Sequence, residues 1–406
     1  MPLNDILFSP LALRNITLPN RLVRSATYEG LGESDGTPRS ELADLYARLA
    51  RAGTGTIITG FCFISQEGRA MQPGQCGIET NAKIGVWQSV VRHVKAAAPD
   101  VRLLMQLAHA GRQTRRAATG QRAVGASSRR CLYFREKVRP LAEADILRII
   151  AEFAAAARRA QRAGFDGVQL HAAHGYLIHQ FLSPYTNTRS DAWADGARFL
   201  VEVVRAVKNS CGKDFPVFAK FSGADDRGLT VTDTLSHIRA VESGLDAAEI
   251  SYGTMEFGLN IIRGGWPVER AFEVNPLLQQ VPRPLRGLFR RFVLSPIMKR
   301  RIPFEENYNL LAAAQIAKQV SLPIFAVGGF RRAPALRSAL AEHRLAAVSL
   351  CRPLLCEPDL ASALRADDSW VSACTSCNLC TVNCDASHPV KCVRQKKKAH
   401  HEHVSL

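Results

Sequence analysis

Short apolar runs rich in Val, Ile and Leu alternate along most of the chain with longer segments whose apolar residues recur at helical spacing. The short runs predict strands at residues 21–25, 55–59, 102–107, 167–171, 217–221, 247–251, 323–327 and 346–350. The longer segments predict helices at residues 40–52, 83–98, 142–163, 199–210, 232–243, 307–319 and 333–342. Because each strand is almost continuously apolar, we expect parallel strands that are buried on both faces.

This alternation predicts an α/β fold, and an eight-stranded parallel (β/α)8 TIM barrel is the simplest architecture that accounts for it. An open, doubly wound sheet is the alternative. A GxGxxG turn after the first strand would favour that sheet, and the sequence has no such turn there. We assign residues 1–366 to the barrel and residues 367–406 to a basic, Cys-rich C-terminal tail.

The alternation breaks over residues 254–304, a long insertion rich in Pro and Arg. An insertion after the carboxyl end of a strand is expected to lie over the mouth of the barrel. Leu285, Leu288, Phe289, Phe292 and Val293 fall near helical spacing among arginines, which could form a lid helix or a helix on a membrane surface. A half-buried surface helix is the more common structure for such a segment. We favour the lid. The basic residues are Arg283, Arg286, Arg290, Arg291, Lys299, Arg300 and Arg301.

Composition and charge narrow the class of protein. A hydrophobic content of 47% and a charged content of 22% are typical of a soluble globular protein. We expect no membrane span, because no apolar run is long enough, and a cytoplasmic location, because no secretory signal is visible. The net charge of +17 is dispersed, apart from the insertion and a second cluster formed by Arg394 and Lys396–Lys398. We expect no nucleic-acid partner, since the basic residues do not alternate with aromatic residues.

Chemically active side chains follow the predicted strands. His171, His174 and Tyr176 come at the end of the fourth strand, and such groups can hold an anionic oxygen and donate a proton. Gln106 in the third strand could bond both edges of a pyrimidine-like ring, and Lys220 in the fifth could stabilise charge on that ring. Gly328 and Gly329 after the seventh strand, with Arg352 after the eighth, predict a phosphate site. Further strand-end residues are Ser25, Ala26, Thr27, Tyr28, Phe61 and Cys351.

Several motifs identify a family. The sequence has PNR at residues 19–21, QLAHAGR at 106–112 and HAAHGYLIHQFLSP at 171–184. In these motifs the chain resembles the Old Yellow Enzyme family of FMN-dependent ene-reductases, including the NADH:flavin oxidoreductases and the dienoyl-CoA reductases. The resemblance covers about residues 5–365.

The resemblance implies a role for each matched residue. FMN would contact Gln106, Lys220 and chiefly the backbone of Ser25, Ala26 and Phe61. Its phosphate would bind Gly328, Gly329 and Arg352. His171 and His174 would bind the carbonyl oxygen of an electrophilic alkene, and Tyr176 would donate a proton. NAD(P)H would be the reductant.

The sequence also departs from the family. Tyr28 occupies the position at which relatives carry a Thr or Cys near the flavin, and Thr27 is adjacent, so which hydroxyl reaches the flavin is open. Cys351 stands where a Gly often precedes the phosphate-binding Arg.

The tail contains a run of cysteines. Cys374, Cys377, Cys380 and Cys392 are spaced C-x2-C-x2-C-x11-C, with Cys384 as an alternative ligand. Thiolates at such spacing can hold an iron–sulfur cluster or zinc. Reduced thiols in a flexible tail are the competing interpretation. Relatives place a four-iron cluster here, with one more residue between the second and third Cys.

Three functions remain open from the residues. An FMN-dependent, NAD(P)H-driven reductase of activated C=C bonds is the first, with a flavin/iron–sulfur dehydrogenase or demethylase that passes electrons to a partner as a variant. The second is a barrel lyase with Lys220 as a Schiff base. The third is a non-catalytic barrel that binds anions or nucleic acid. A homo-oligomer is possible in each case.

Overall fold

Eight parallel strands form a closed barrel in the computed structural model, which describes residues 5–394. The strands are β1 (Leu22–Arg24), β2 (Thr56–Ile58), β3 (Arg102–Ala108), β4 (Gly167–Ala172), β5 (Val217–Ser222), β6 (Ala247–Ser251), β7 (Ile324–Val327) and β8 (Ala347–Leu350). Each strand pairs with the next in sequence, and β8 returns to β1 through the pair Val348 and Leu22. The predicted TIM barrel is confirmed, and all eight predicted strands are present.

Helices surround the barrel and connect its strands. The main helices are α1 (Ser40–Arg51), α2 (Ile84–Ala97), α3 (Glu143–Arg162), α4 (Arg198–Cys211), α5 (Val231–Val241), α6 (Leu310–Ala317), α7 (Ala333–Ala341) and α8 (Leu360–Ala366). The α5 helix shows how local sequence sets these bounds, because Thr230 and Asp233 form a reciprocal capping box at its start. Shorter helices lie at Arg116–Thr119, Leu177–Leu182, Arg352–Cys356 and Leu379–Val382.

The barrel interior is closed by apolar side chains at the end where the strands begin. A two-stranded hairpin, Leu11–Ala12 paired with Thr17–Leu18, contributes Leu11 and Leu18 to this cluster. Phe218 of β5 and Phe325 of β7 meet there edge to face, with ring centroids 5.7 Å apart. The opposite end, where the strands finish, is therefore the end that remains for a ligand.

The insertion forms several short helices rather than one long element. They lie at Gly258–Ile262, Val268–Val274, Arg286–Phe289 and Ser295–Lys299, and a π-helical turn at Arg290–Leu294 joins the last two. The insertion packs against the tail, since Gly265 N–H donates to the Ser376 carbonyl at 2.9 Å.

The tail also packs back onto the barrel. The N–H of Val390 donates to the Glu29 carbonyl at 2.7 Å, and the Ala333 N–H donates to the Trp370 carbonyl at 2.9 Å. The boundary at residue 366 stays a prediction. Lys396–Lys398 of the second basic cluster lie outside the described residues. Within residues 5–394, no helix has both the length and the apolar character needed to cross a bilayer.

Candidate active site

A cavity of about 220 Å³ opens at the end of the barrel where the strands finish. Residues after five different strands reach it, together with parts of the insertion and the tail. Among the flavin-site and catalytic residues predicted from sequence, those that line it are Ala26, Thr27, Tyr28, His174, Lys220, Gly328, Gly329, Cys351 and Arg352. The predicted metal ligands Cys374, Cys380 and Cys384 line it as well. Ile261, Ile262 and Phe304 reach it from the insertion, and Ser251, Tyr308, Arg331 and Ser349 line it without having been predicted.

A buried row of polar side chains crosses the barrel beneath this cavity. Lys220 Nζ donates to Ser25 Oγ at 2.7 Å and forms an ion pair of 3.2 Å with Glu249. Gln169 links the row, because its amide donates to Glu249 Oε2 at 3.1 Å and its oxygen accepts from Gln106 Nε2 at 2.7 Å. Ser25 and Gln106 are thus fully buried members of this row rather than part of the cavity wall.

Sequence analysis missed Gln169 and Glu249. The available signal was a polar residue inside an otherwise apolar strand, two positions before His171 and Ser251 respectively. Side chains two residues apart on a strand point to the same side, so this spacing could have placed both inside the barrel.

The predicted catalytic side chains lie together beside the cavity. The rings of His171 and Tyr176 have centroids 4.6 Å apart, and those of His171 and His174 are 5.2 Å apart. Phe61 covers the group, with its centroid 5.5 Å from that of Tyr176. Phe61, His171 and Tyr176 are therefore neighbours of the cavity, which His174 lines directly.

An unusual backbone orients His174. Its φ is 61°, in the left-handed region that non-glycine residues seldom adopt, and its carbonyl accepts from Gln113 Nε2 at 2.7 Å. Gly175 follows with a φ of 79°, and a Cβ there would lie 2.2 Å from the Gln113 amide nitrogen. Two consecutive left-handed residues thus turn the chain from β4 into the helix Leu177–Leu182.

Burial controls the protonation of these groups. Burial, and then the positive charge of Lys220, lowers the pKa of His171 well below the usual range, and burial together with His171 does the same for His174. Burial raises the pKa of the Tyr176 phenol. Near neutral pH both imidazoles are therefore uncharged and the phenol keeps its proton.

Some polar atoms in and near this group of side chains have a hydrogen-bond partner and others have none. His174 Nε2 bonds to Ser251 Oγ at 2.8 Å. His171 Nδ1 and Ser349 Oγ are buried and have no hydrogen-bond partner among the described residues. Buried polar atoms of this kind are costly unless a ligand satisfies them.

The glycine pair after β7 allows a close approach of backbone segments. Gly328 and Gly329 have φ values of 138° and 78°. A Cβ at Gly328 would lie 2.6 Å from Asn309 Nδ2, and one at Gly329 would lie 2.7 Å from the Asn307 nitrogen. Arg352 donates to the Arg263 carbonyl at 3.0 Å, so insertion and barrel meet at this residue.

The sequence was compared with a family model and with curated proteins of known name. The model described as the NADH:flavin oxidoreductase / NADH oxidase family matches residues 6–256. The chain belongs to this family. A metal reductase from Desulforamulus reducens is 29% identical over 411 residues, which cover 99% of this chain and 55% of that protein. The chain therefore spans little more than half the length of this curated relative.

Solved structures of this flavin oxidoreductase fold superpose well. A 2-naphthoyl-CoA reductase complex gives a TM-score of 0.80 at 20% identity, covering 96% of this chain and 57% of that one. An old yellow enzyme homologue from Zymomonas mobilis gives 0.70 at 23% identity, with coverage of 91% and 94%. These structures confirm the fold, and the family-model match confirms the predicted family and with it FMN and NAD(P)H as the cofactors that the family indicates.

The residues present fit the flavin that this family uses. Buried Ser349 Oγ, which lacks a partner among residues 5–394, faces the same cavity as the close-packed Gly328 and Gly329. Arg331 and Arg352 bring two cations to that part of the wall. Both hydroxyls that could reach the flavin, those of Tyr28 and Thr27, belong to residues that line the cavity, and both have protein partners. The Tyr28 hydroxyl accepts from the Gly74 N–H at 2.9 Å, and Thr27 Oγ1 donates to the Ser25 carbonyl at 2.8 Å.

The tail cysteines lie around two neighbouring cavities. Cys374, Cys377, Cys380 and Cys392, the predicted metal ligands, all line one small cavity together with Arg352. Cys374 and Cys380 also line the 220 Å³ cavity, and Cys384, the alternative ligand, lines only that larger one. Within the described part of the chain, no three His, Cys, Asp or Glu side chains stand close enough to bind a metal ion. The metal site therefore stays a prediction.

A sixth thiol lies near this small cavity. Burial, and then contact with Cys392, raises the pKa of Cys356 to about 12. No local sequence pattern links Cys356 to Cys392, because it lies far from the cysteine run in sequence.

Proposed function

We propose that the protein is an FMN-dependent oxidoreductase that uses NAD(P)H to reduce an activated C=C bond, such as that of an enone or enoyl compound. The observation that carries this proposal is the group formed by His171, His174 and Tyr176, in which two uncharged imidazoles lie beside a protonated phenol. Such a group suits a substrate that needs its carbonyl oxygen bound and one carbon protonated.

The imidazoles would bind the oxygen. Since His174 Nε2 bonds to Ser251 Oγ, the hydroxyl can donate to this nitrogen and leave Nδ1 as the N–H donor toward a ligand. His171 Nδ1, which lacks a partner in residues 5–394, is a second candidate donor. Hydrogen bonds from neutral donors stabilise negative charge that develops on the oxygen without adding a buried cation.

Tyr176 would supply the proton. Its raised pKa keeps the phenol protonated at neutral pH, and its ring lies directly beside His171. Bound FMN supplies hydride-transfer chemistry. Gln106, Lys220, Gly328, Gly329 and Arg352 are the residues that we propose to hold it.

The arrangement of Lys220 argues against the lyase alternative. A Schiff base requires a free amine, whereas Lys220 lies in an ion pair with Glu249 and also bonds to Ser25.

Separate measurement of the two half-reactions tests the proposal. In stopped-flow experiments on the FMN-loaded protein, Tyr176→Phe is expected to leave flavin reduction by NAD(P)H unchanged and to slow enone reduction about 100-fold or more. Tyr133→Phe is the matched control, because Tyr133 is a half-buried phenol that accepts from Asn275 Nδ2 and does not line the cavity.

Two results would contradict the assignment. Enone reduction at the wild-type rate in Tyr176→Phe would remove Tyr176 as proton donor. Equal slowing of both half-reactions in this variant would indicate a general structural defect rather than a lost proton.

A second proposal concerns the tail. We propose that Cys374, Cys377, Cys380 and Cys392 bind an iron–sulfur cluster, which would allow electron exchange with a partner. Support comes from their shared cavity, and from Cys374 and Cys380, which line the larger cavity as well.

Metal analysis of anaerobically purified protein tests this second proposal. We expect iron and acid-labile sulfide in equal amounts, and their loss in Cys380→Ser but not in Cys211→Ser, a thiol on α4 outside both cavities. Stoichiometric zinc, or the absence of any bound metal, would contradict it.

A further inference from the structure

We propose that the exposed apolar face of residues 285–297 docks on the surface of a lipid bilayer that contains anionic phospholipids. This inference goes beyond the reaction proposed above and does not depend on it. The docking face is defined by Leu285, Leu288, Phe292, Val293 and Ile297.

The docking face is large and continuous. Exposure is 50% for Leu285, 57% for Leu288, 65% for Phe292 and 50% for Ile297. Leu285, Leu288, Phe292 and Ile297 follow one another at intervals of three, four and five residues, and Val293 lies between the last two. The segment stays helical through its π turn, so side chains at these intervals form one stripe along it. Isolated exposed apolar residues are normal, but a contiguous stripe of this size marks an interaction surface.

The opposite side of the same segment is fixed to the protein. Phe289 packs edge to face on Phe272, with ring centroids 6.2 Å apart. The guanidinium groups of Arg286 and Arg290 lie 4.8 Å and 5.3 Å from the Phe272 ring centroid, and Arg290 is paired with Glu269. The segment is therefore held in an orientation that directs the docking face toward solvent.

The positive charge around the docking face indicates what kind of surface binds it. Residues 274–304 contain seven cationic side chains (Arg283, Arg286, Arg290, Arg291, Lys299, Arg300 and Arg301) and no Asp or Glu. Of these, Arg283, Arg291, Lys299 and Arg300 are exposed. An apolar stripe bordered by exposed cations is the composition of helices that lie in the headgroup region of anionic bilayers.

The same charges oppose the other candidates. A second copy of this chain docked face to face would bring two cationic surfaces together. The sequence beyond residue 394 contains Lys396–Lys398, so it would be repelled as well. An anionic partner is required, and lipid headgroups combine that charge with an apolar layer beneath them.

The docking face also belongs to the insertion that reaches the cavity. Ile261 and Ile262 near the start of the insertion, and Phe304 at its end, line the 220 Å³ cavity. The two ends of the insertion therefore lie at the cavity, as expected for a lid, whereas its central helical segment faces solvent.

Vesicle flotation of the FMN-loaded protein, with all 406 residues of the chain present, tests the proposal. We expect the protein to float with vesicles of mixed phosphatidylcholine and phosphatidylglycerol, to bind pure phosphatidylcholine weakly, and to bind less at high salt. Phe292→Glu should reduce the affinity for mixed vesicles by about tenfold or more, because it removes a buried ring and adds a repelled charge. Leu311→Glu is the matched control, since Leu311 on α6 is 76% exposed but outside the docking face.

A second variant tests the proposal independently if Phe292→Glu folds poorly. The double variant Arg291→Gln, Lys299→Gln leaves the apolar stripe intact and should reduce binding to anionic vesicles several-fold, with unchanged thermal unfolding and FMN content.

Three results would overturn the proposal. One is a lack of binding to anionic vesicles by the wild-type protein. Another is an equal loss of binding in Leu311→Glu, which would mean that net charge alone attracts the protein. The third is concentration-dependent self-association that Phe292→Glu abolishes in protein that does not bind vesicles, because a second copy would then cover the docking face.

Discussion

The two ends of the barrel interior differ in polarity although the same strands build both. On β3, β5 and β6, an apolar inward residue is followed two positions later by a polar one: Leu104 and Gln106, Phe218 and Lys220, Ala247 and Glu249. The same step occurs on β1 and β8, at Val23 and Ser25 and at Ala347 and Ser349. We call the apolar set, together with Phe325 of β7, the lower layer, and the polar set, together with Gln169, the upper layer.

The comparison separates stability from chemistry. Burial of the lower layer stabilises the fold, because its side chains are apolar. Burial of an upper-layer polar group instead lowers the stability of the fold unless that group has a hydrogen-bond partner. The row from Gln106 to Ser25 satisfies most of that demand, but Ser349 Oγ and Glu249 Oε1 still have no partner in the described residues. We infer that the upper layer is arranged for a ligand and is less favourable without one.

The largest expected effect is on the stability of the lower layer. Phe325→Ala should lower the free energy of unfolding by about 3–5 kcal/mol, because it leaves a cavity beside Phe218. Ser349→Ala, the upper-layer substitution on the neighbouring strand, should change it by less than about 1 kcal/mol, since the removed hydroxyl has no partner within residues 5–394. Urea unfolding in the absence of FMN measures both. Similar losses in the two variants would erase the distinction between the layers.

A somewhat smaller effect is expected at the ion pair of the upper layer. Lys220→Met leaves the buried Glu249 carboxylate without its cation, and loss of one partner from a buried pair costs about 3–5 kcal/mol. We expect the lower end of this range, because the Gln169 amide still donates to Glu249 Oε2. Adding Glu249→Gln should recover most of the loss in unfolding free energy. We expect Lys220→Met to weaken FMN binding as well, and the double variant should still bind FMN weakly, because the cation is missing in both. Recovery of both properties would show that Lys220 is purely structural.

The pH dependence of stability should come in part from the upper end of the barrel. The pKa values of His171 and His174 are lowered in the folded protein, so the unfolded chain binds more protons below its own histidine pKa of about 6.5. Stability is complete above this pH and falls as the pH is lowered, by up to about 1.4 kcal/mol per pH unit for each histidine. His171→Asn should flatten this slope relative to the wild-type protein, as measured by urea unfolding over a series of pH values. A slope that this variant leaves unchanged would contradict the assignment.

The smallest expected effect is on the flavin potential. Glu249→Gln removes the anion that lies 3.2 Å from Lys220. The unbalanced cation should then stabilise reduced FMN and raise the midpoint potential by on the order of 30 mV, about 1.4 kcal/mol for a two-electron couple. Spectroscopic titration against a reference dye measures the shift, with Glu79→Gln in the ion pair with Lys83 as a control outside the barrel interior. A shift to lower potential would contradict the proposed position of Lys220 beside the flavin.

The fold could be predicted because its signals are local. Apolar β-branched runs and helical periodicity were enough for all eight strands and for the first seven helices, and β6 was predicted with its observed bounds, Ala247–Ser251. Strand-end residues such as His174 and Lys220 could also be predicted, because a barrel brings all its strand ends to one mouth.

Other parts of the site depend on contacts between distant segments. The approach of Cys374 and Cys380 to the cavity, and of Cys356 to Cys392, follows from the packing of the tail on the barrel, and no local pattern encodes it. Glu249 was missed because one polar residue in an apolar strand is a weak signal without its partners. The outward orientation of Phe292 depends on the packing of Phe289 against Phe272, which sequence spacing alone did not distinguish from a closed lid.

The central claim is that the upper layer forms the base of a flavin site, and an ultraviolet–visible spectrum of anaerobically purified protein tests it most directly. We expect a flavin spectrum that is bleached by NAD(P)H and that returns when an enone is added. Colourless protein that does not bind added FMN would contradict the account.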